Sequence, residues 1–142
     1  MLTGRMMDFP LTLTHFLERA RTYFGRSEVV SRQPDKSLHR YTYADFYRRT
    51  CKLAHALARR GVKPGDREAS LSWNHHRHLE LYFAVPSMGA VIHTLNLRLH
   101  PNDLGYIARH AEDVGLQHQT FDPFTGKQHR VRGDELEELI HQ

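Results

Sequence analysis

His75, His76 and His78 lie within one short stretch and form the densest cluster of chemistry-bearing side chains in the chain. On a helix, His75 and His78 share a face at i and i+3, a spacing two ligands of one metal ion can use. No cysteine or carboxylate stands at ligand spacing beside them, and Glu80 falls elsewhere on the turn. The plainer reading is a solvated helix start.

The remaining candidates divide in the same way. His93 sits in an apolar run and reads as a hydrogen-bonded interior histidine rather than a catalyst. Cys51, the single cysteine, lies beside an apolar helix face with no base in view and reads as a packed small residue. Arg48, Arg49, Arg59 and Arg60 read as a solvated face, because no recognition motif or interleaved aromatic accompanies them. Trp73 and Tyr82 are large aromatics for which core packing is the simplest role. Phe124-Thr125-Gly126-Lys127 imitates a phosphate loop but lacks the preceding glycines and serines.

The elements that carry these residues follow from periodicity. Leu13, Phe16, Leu17, Ala20 and Phe24 predict an amphipathic helix over about 12–24, closed by Gly25. Segments 28–31 and 38–42 read as short strands around the turn-rich Gln33-Pro34-Asp35-Lys36, a hairpin. Thr42, with Asp45 three residues on, has capping-box spacing. It opens a helix with Phe46, Tyr47, Thr50, Leu53, Ala54, Leu57 and Ala58 on one face. Gly61 suits the left-handed position after it, and Lys63-Pro64-Gly65-Asp66 is a turn.

Alternation over 67–73 marks a strand. Asn74 is placed to cap the next helix, which Pro86 should kink or end. The mostly apolar 90–95 suits a buried parallel strand. Pro101 fits the first turn of a further helix bearing Leu104, Ile107, Ala108 and Ala111. The order predicts an α/β fold: an incomplete parallel-sheet subdomain with βαβ units and helices on both faces, preceded by an N-terminal helix and a short hairpin. After Asp113 the pattern weakens. Gln117, His118 and Gln119 are poor core residues, so a third strand over 114–121 is expected only as a weak or edge strand. The rest of 114–142 reads as loop plus one short helix.

The bulk numbers limit function less than fold. With 142 residues, one domain is expected. Lys and Arg exceed Asp and Glu by 20 to 16, a mild basic excess that favours anionic partners without selecting one. Twelve histidines make the charge pH-sensitive. A lone cysteine suits a reducing compartment. No apolar run reaches a signal-peptide core or a membrane span, so a soluble, cytoplasmic protein is expected.

One combination is more specific. It runs His39-Arg40-Tyr41-Thr42-Tyr43-Ala44, Gly61-Val62-Lys63-Pro64-Gly65-Asp66-Arg67, Trp73-Asn74 and Arg77-His78-Leu79-Glu80-Leu81-Tyr82-Phe83-Ala84-Val85-Pro86. It continues with Met88-Gly89-Ala90-Val91-Ile92-His93-Thr94-Leu95-Asn96, Arg98-Leu99 and His110-Ala111-Glu112-Asp113. Residues 37–113 thereby resemble the N-terminal region of long-chain and medium-chain fatty acyl-CoA synthetases of the AMP-binding, adenylate-forming superfamily. Phe9-Pro10-Leu11-Thr12-Leu13 also fits that branch. Glu68, where the family usually has an apolar strand residue, and Leu97, where proline is common, depart from it.

The resemblance implies ATP-dependent joining of a fatty acid to CoA through an acyl-adenylate, with magnesium offsetting the triphosphate charge. It places the family's phosphate loop, adenine and metal motifs and adenylating lysine outside the matching stretch, and none of them occurs in this sequence. The expectation is therefore residues 1–113 as the N-terminal piece of an AMP-binding domain and 114–142 as a divergent tail. This truncated fragment is expected to be inactive alone, with no catalytic, cofactor-binding or metal residue to assign. ATP, magnesium, CoA and fatty acid belong to the full-length family. Two rival expectations stand: an interaction or dimerisation module that docks on a full-length paralogue or self-associates through an open sheet edge, and a small basic nucleic-acid binder.

Overall fold

The computed structural model describes residues 12–33 and 35–119. Helix α1 (Leu13–Phe24) leads into a hairpin of β1 (Glu28–Arg32) and β2 (Leu38–Thr42). Then come α2 (Tyr43–Arg59), β3 (Arg67–Ser72), α3 (His76–Ser87), β4 (Val91–Thr94), α4 (Pro101–Ala111) and β5 (Gly115–Gln119). The hairpin is antiparallel, with Val29 opposite Tyr41. The second sheet is parallel in the order β4-β3-β5. The units β3-α3-β4 and β4-α4-β5 thus place β3 between the other two strands, which is the predicted architecture.

The starts of the helices show how local chemistry sets boundaries. The N–H of Asp45 donates to Thr42 Oγ1 at 3.2 Å, and the N–H of Thr42 donates to Asp45 Oδ2 at 3.2 Å. This closed capping box satisfies two otherwise orphan donors of α2. Thr42→Ala should cost about 1 kcal/mol, read as a lower urea midpoint at unchanged slope. Gly61, just past α2, has φ +98°, as its position requires. Gly89 has φ +84°, and a Cβ there would meet the Pro64 Cβ at 3.2 Å. The N–H of Gly65 donates to Gly89 O at 2.8 Å, which ties the turns that feed β3 and β4.

Helices cover both faces of the parallel sheet. Ala69 and Leu71 of β3 pack with Leu95 and Leu104, and partly with Ile107 of α4 and Leu116 of β5. On the opposite face Leu57 of α2, Val85 of α3 and Ala90 form a core with Ile92 of β4. A third cluster of Leu17, Tyr41 and Phe46 joins α1, the hairpin and α2.

Three expectations are corrected. The cap of α3 is His75, not Asn74, and the helix begins one residue later. The apolar strand near residue 90 is parallel to β3, but among the described residues it is an edge strand and Val91 is half exposed. The buried central strand is β3, in which Glu68 and Ser70 are as enclosed as Ala69 and Leu71. Strand β5 pairs in parallel with β3, Leu116 opposite Ala69, as the edge strand expected after Asp113. It opens the segment read as loop plus short helix; residues 120–142, including Phe124-Thr125-Gly126-Lys127, lie outside the described residues.

Candidate functional site

The histidine cluster is not solvated. His76 is 6% and His78 5% exposed. Helical spacing puts His76, Glu80 and Ala84 on one row at i, i+4 and i+8, and all three are buried where α3 meets the rest of the fold. The spacing was visible in sequence; the partners that cover the row were not.

The histidines are fixed by the three strands around them. From β1, Ser31 Oγ accepts the His76 N–H at 3.1 Å. From β2, the His39 ring lies 4.2 Å from the His76 ring and Tyr41 packs edge-on at 5.9 Å. From β3, Ser70 Oγ is 3.2 Å from His78 Nε2 and Ser72 Oγ is 3.1 Å from His75 Nε2. His75 Nδ1 accepts the His78 N–H at 3.2 Å and caps α3. The side chains of Val29, Leu79 and Tyr82 complete a cleft of about 330 Å³ over His75, His76 and His78.

Below this cleft lies a charged pair. Arg49 Nε and Nη2 of α2 donate to Glu80 Oε1 and Oε2 of α3 at 2.6 and 3.2 Å. The Glu80 side chain is 6% exposed and that of Arg49 45%, so the fork neutralises a buried carboxylate. Burial, then the Glu80 charge, pushes the Tyr41 phenol well above its ordinary value. Arg48, Arg59 and Arg60 are exposed, as expected, and Arg48 pairs with Asp45.

The electrostatics favour neutral imidazoles. Burial, with His39, His75, Arg77 and Arg49 adding to it, lowers His76 to about 4. Burial foremost also lowers His75 and His78. Ser70 and His78 resemble a hydroxyl with its base, but Ser70 is 1% and His78 5% exposed. The pair joins α3 to β3 instead. Among the described residues no group of three or more His, Cys, Asp or Glu is arranged to hold a metal ion.

His93 Nδ1 lies 3.0 and 2.8 Å from the two Asp113 carboxylate oxygens. It is hydrogen-bonded, and it ties β4 to the turn between α4 and β5. Burial raises Asp113, with the histidine acting against the rise. Cys51 is half-buried on α2. Sequence reasoning passed over Ser31, Ser70, Glu80 and Asp113 as members of these groups. Only Glu80 carried a signal, its place on the His76–Ala84 row.

The comparisons with known proteins agree with this framework. The family model described as AMP-binding enzyme matches residues 16–138. The long-chain-fatty-acid–CoA ligase of Thermus thermophilus is 55% identical over 118 residues, covering 83% of this chain and 21% of that protein. The medium-chain-fatty-acid–CoA ligase of Ectopseudomonas oleovorans is 40% identical over 129 residues, covering 90% of this chain and 24% of that protein. A Mycobacterium tuberculosis fatty acyl CoA synthetase superposes with TM-score 0.69 at 23% identity, over 80% of this chain and 22% of that one, which speaks for the fold. The chain thus spans about a fifth to a quarter of the curated relatives it matches. Among the described residues no helix is long and apolar enough to cross a membrane. The shared βαβ frame, the match across most of the sequence and the 55% identity lead to one assignment: this chain belongs to the family of AMP-binding enzymes.

Proposed function

We propose that these residues form the N-terminal framework of an ATP-dependent fatty acid–CoA ligase, which makes an acyl-adenylate and then passes the acyl group to CoA. The observation that carries the reading is the family match over residues 16–138 together with identity above one half to a fatty-acid ligase. In this reading ATP, magnesium, CoA and a fatty acid are handled by the whole ligase, and the cytoplasm is the compartment that supplies them. The contribution of this chain is architectural. The parallel strands and their helices support the part of the domain that does the chemistry.

Among the described residues no group of three or more His, Cys, Asp or Glu is arranged to hold magnesium beside a nucleotide. Magnesium needs carboxylate or phosphate oxygens in an open site. Glu80 is held by Arg49, Asp113 by His93, and Asp45 by Thr42 and Arg48. No step of adenylation is therefore assigned to a residue of this chain, and the isolated chain is proposed to be inactive.

Two measurements test the reading. Purified chain with ATP, magnesium and a fatty acid should release no pyrophosphate above a protein-free control. A chimera in which this chain replaces the matching segment of the Thermus thermophilus ligase should activate long-chain fatty acids within about tenfold of the parent, because a uniformly small loss of fit costs about 1.4 kcal/mol or less. A folded chimera without activity would reject the framework reading. Turnover by the isolated chain would reject the inactivity.

A further inference from the structure

The hydrogen bonds at the start of α3 define the protonation state of His75. Its Nδ1 accepts a backbone N–H, from His78, so that nitrogen carries a lone pair and no proton. In the neutral ring Nε2 then bears the hydrogen and donates to Ser72 Oγ at 3.1 Å, and Ser72 Oγ donates onward to Trp73 O at 3.2 Å. A protonated imidazole has donors on both nitrogens and can accept from neither. It would also place a positive charge on a helix N-terminus, where the backbone dipole opposes it.

We propose that the start of α3 is a proton-keyed latch: neutral His75 holds the first turn of the helix against β1 and β3, and a proton on its ring releases that turn and opens the adjoining cleft. The surroundings reinforce this direction. His76 and His78 flank the cap, and His39 faces His76 from β2 at 4.2 Å. Arg77 lies on α3 itself, Arg49 reaches in from α2 and Arg32 lines the cleft from β1. The one carboxylate at this end, Glu80, is already forked by Arg49. Glu68 stands back along β3 beside Gly115. An imidazolium formed here meets cations and other imidazoles, with no free anion to receive it. Burial holds His75 below the ordinary imidazole value, so the latch stays shut at neutral pH and opens on the acid side.

A histidine also caps α4. Pro101 has no N–H, so Asn102 offers an early donor, and His100 Nδ1 accepts it at 3.3 Å. Helix α2 provides the internal contrast, because a hydroxyl and a carboxylate cap it and burying no imidazole leaves its start insensitive in the same pH range.

Amide hydrogen exchange of the full chain, followed residue by residue by NMR at about pH 7.5 and about pH 5, reads the latch directly. Protection factors for His78 and Leu79 should fall by roughly 2- to 30-fold on acidification, the range expected for losing a cap. Those of Asp45 and Phe46 should fall by less than these. In His75→Asn the amide oxygen accepts without titrating, so protection at His78 should stay level between the two pH values. His100→Asn, at a cap outside α3, should leave the pH response of His78 unchanged. Equal protection at both pH values in the unmodified chain would overturn the proposal. So would a uniform loss across α2 and α3, or acid loss that persists in His75→Asn. Should His75→Asn not fold, the residue-by-residue pattern in the unmodified chain still decides between these outcomes.

Discussion

Leu71→Ala should lower the unfolding free energy by about 2–5 kcal/mol, a large part of the roughly 5–15 kcal/mol that holds a typical domain together. Leu71 is 1% exposed and stands in β3, between β4 and β5 in the sheet and under α4 on one face. Truncation removes its transfer free energy and leaves a cavity that three elements cannot easily close. Leu71→Met keeps the volume and should cost less than about 1.5 kcal/mol. Val91→Ala on β4 is the control. That side chain is 50% exposed, so its change should stay within about 0.5 kcal/mol. Urea unfolding of the three variants checks this. Equal losses at Leu71 and Val91 would contradict the strand order in which β3 is central.

Acidification should cost a comparable amount. His76 titrates near 6.5 when unfolded and at about 4 in the fold. A lowered imidazole favours the neutral folded form. Its contribution is whole above pH 6.5 and is lost progressively as pH falls toward 4. At about 1.4 kcal/mol per pKa unit the loss approaches about 3 kcal/mol. His75 and His78 are shifted in the same sense and add to it. Asp113 acts oppositely: burial raises it, so the fold gains as that carboxyl takes up its proton. Asp45, lowered to about 2, keeps its cap until well below the histidine window. Denaturant midpoints between about pH 7 and about pH 4.5 should therefore fall steadily, and His76→Phe should flatten the decline. A midpoint that is constant across that interval in the unmodified chain would refute the assignment.

What the sequence revealed and what it hid separate by distance along the chain. Thr42 with Asp45, Gly61 and Pro101 signal within one turn, because caps and proline act on their own neighbours, and the structure has each in the expected place. The parallel βαβ order was legible from alternating periods. The burial of His76 and His78 was not, because it depends on Ser31 and His39, more than thirty residues away. Arg49 read as one charge on a solvated face; its fork onto Glu80 crosses 31 residues and needs α2 and α3 to be adjacent. The exposure of β4 was hidden for a similar reason. Apolar composition tells how much a strand would gain from burial, and strand order decides which strand receives it. Glu68, read as a departure from an apolar pattern, is the residue against which Gly115 fits: a Cβ at 115 would meet its carboxylate at 2.8 Å.

The order β4-β3-β5 also has a consequence during synthesis. Leu71 leaves the ribosome long before its partner His118 does, since the two are 47 residues apart. At about 5–20 residues per second, β3 waits about 2–9 s with one flank of its backbone unmatched. The β1–β2 hairpin, with Arg32 opposite Leu38, closes almost as soon as it emerges. The central strand is therefore an early segment that is completed late, and in that interval a nascent chain is most open to mispairing with another copy.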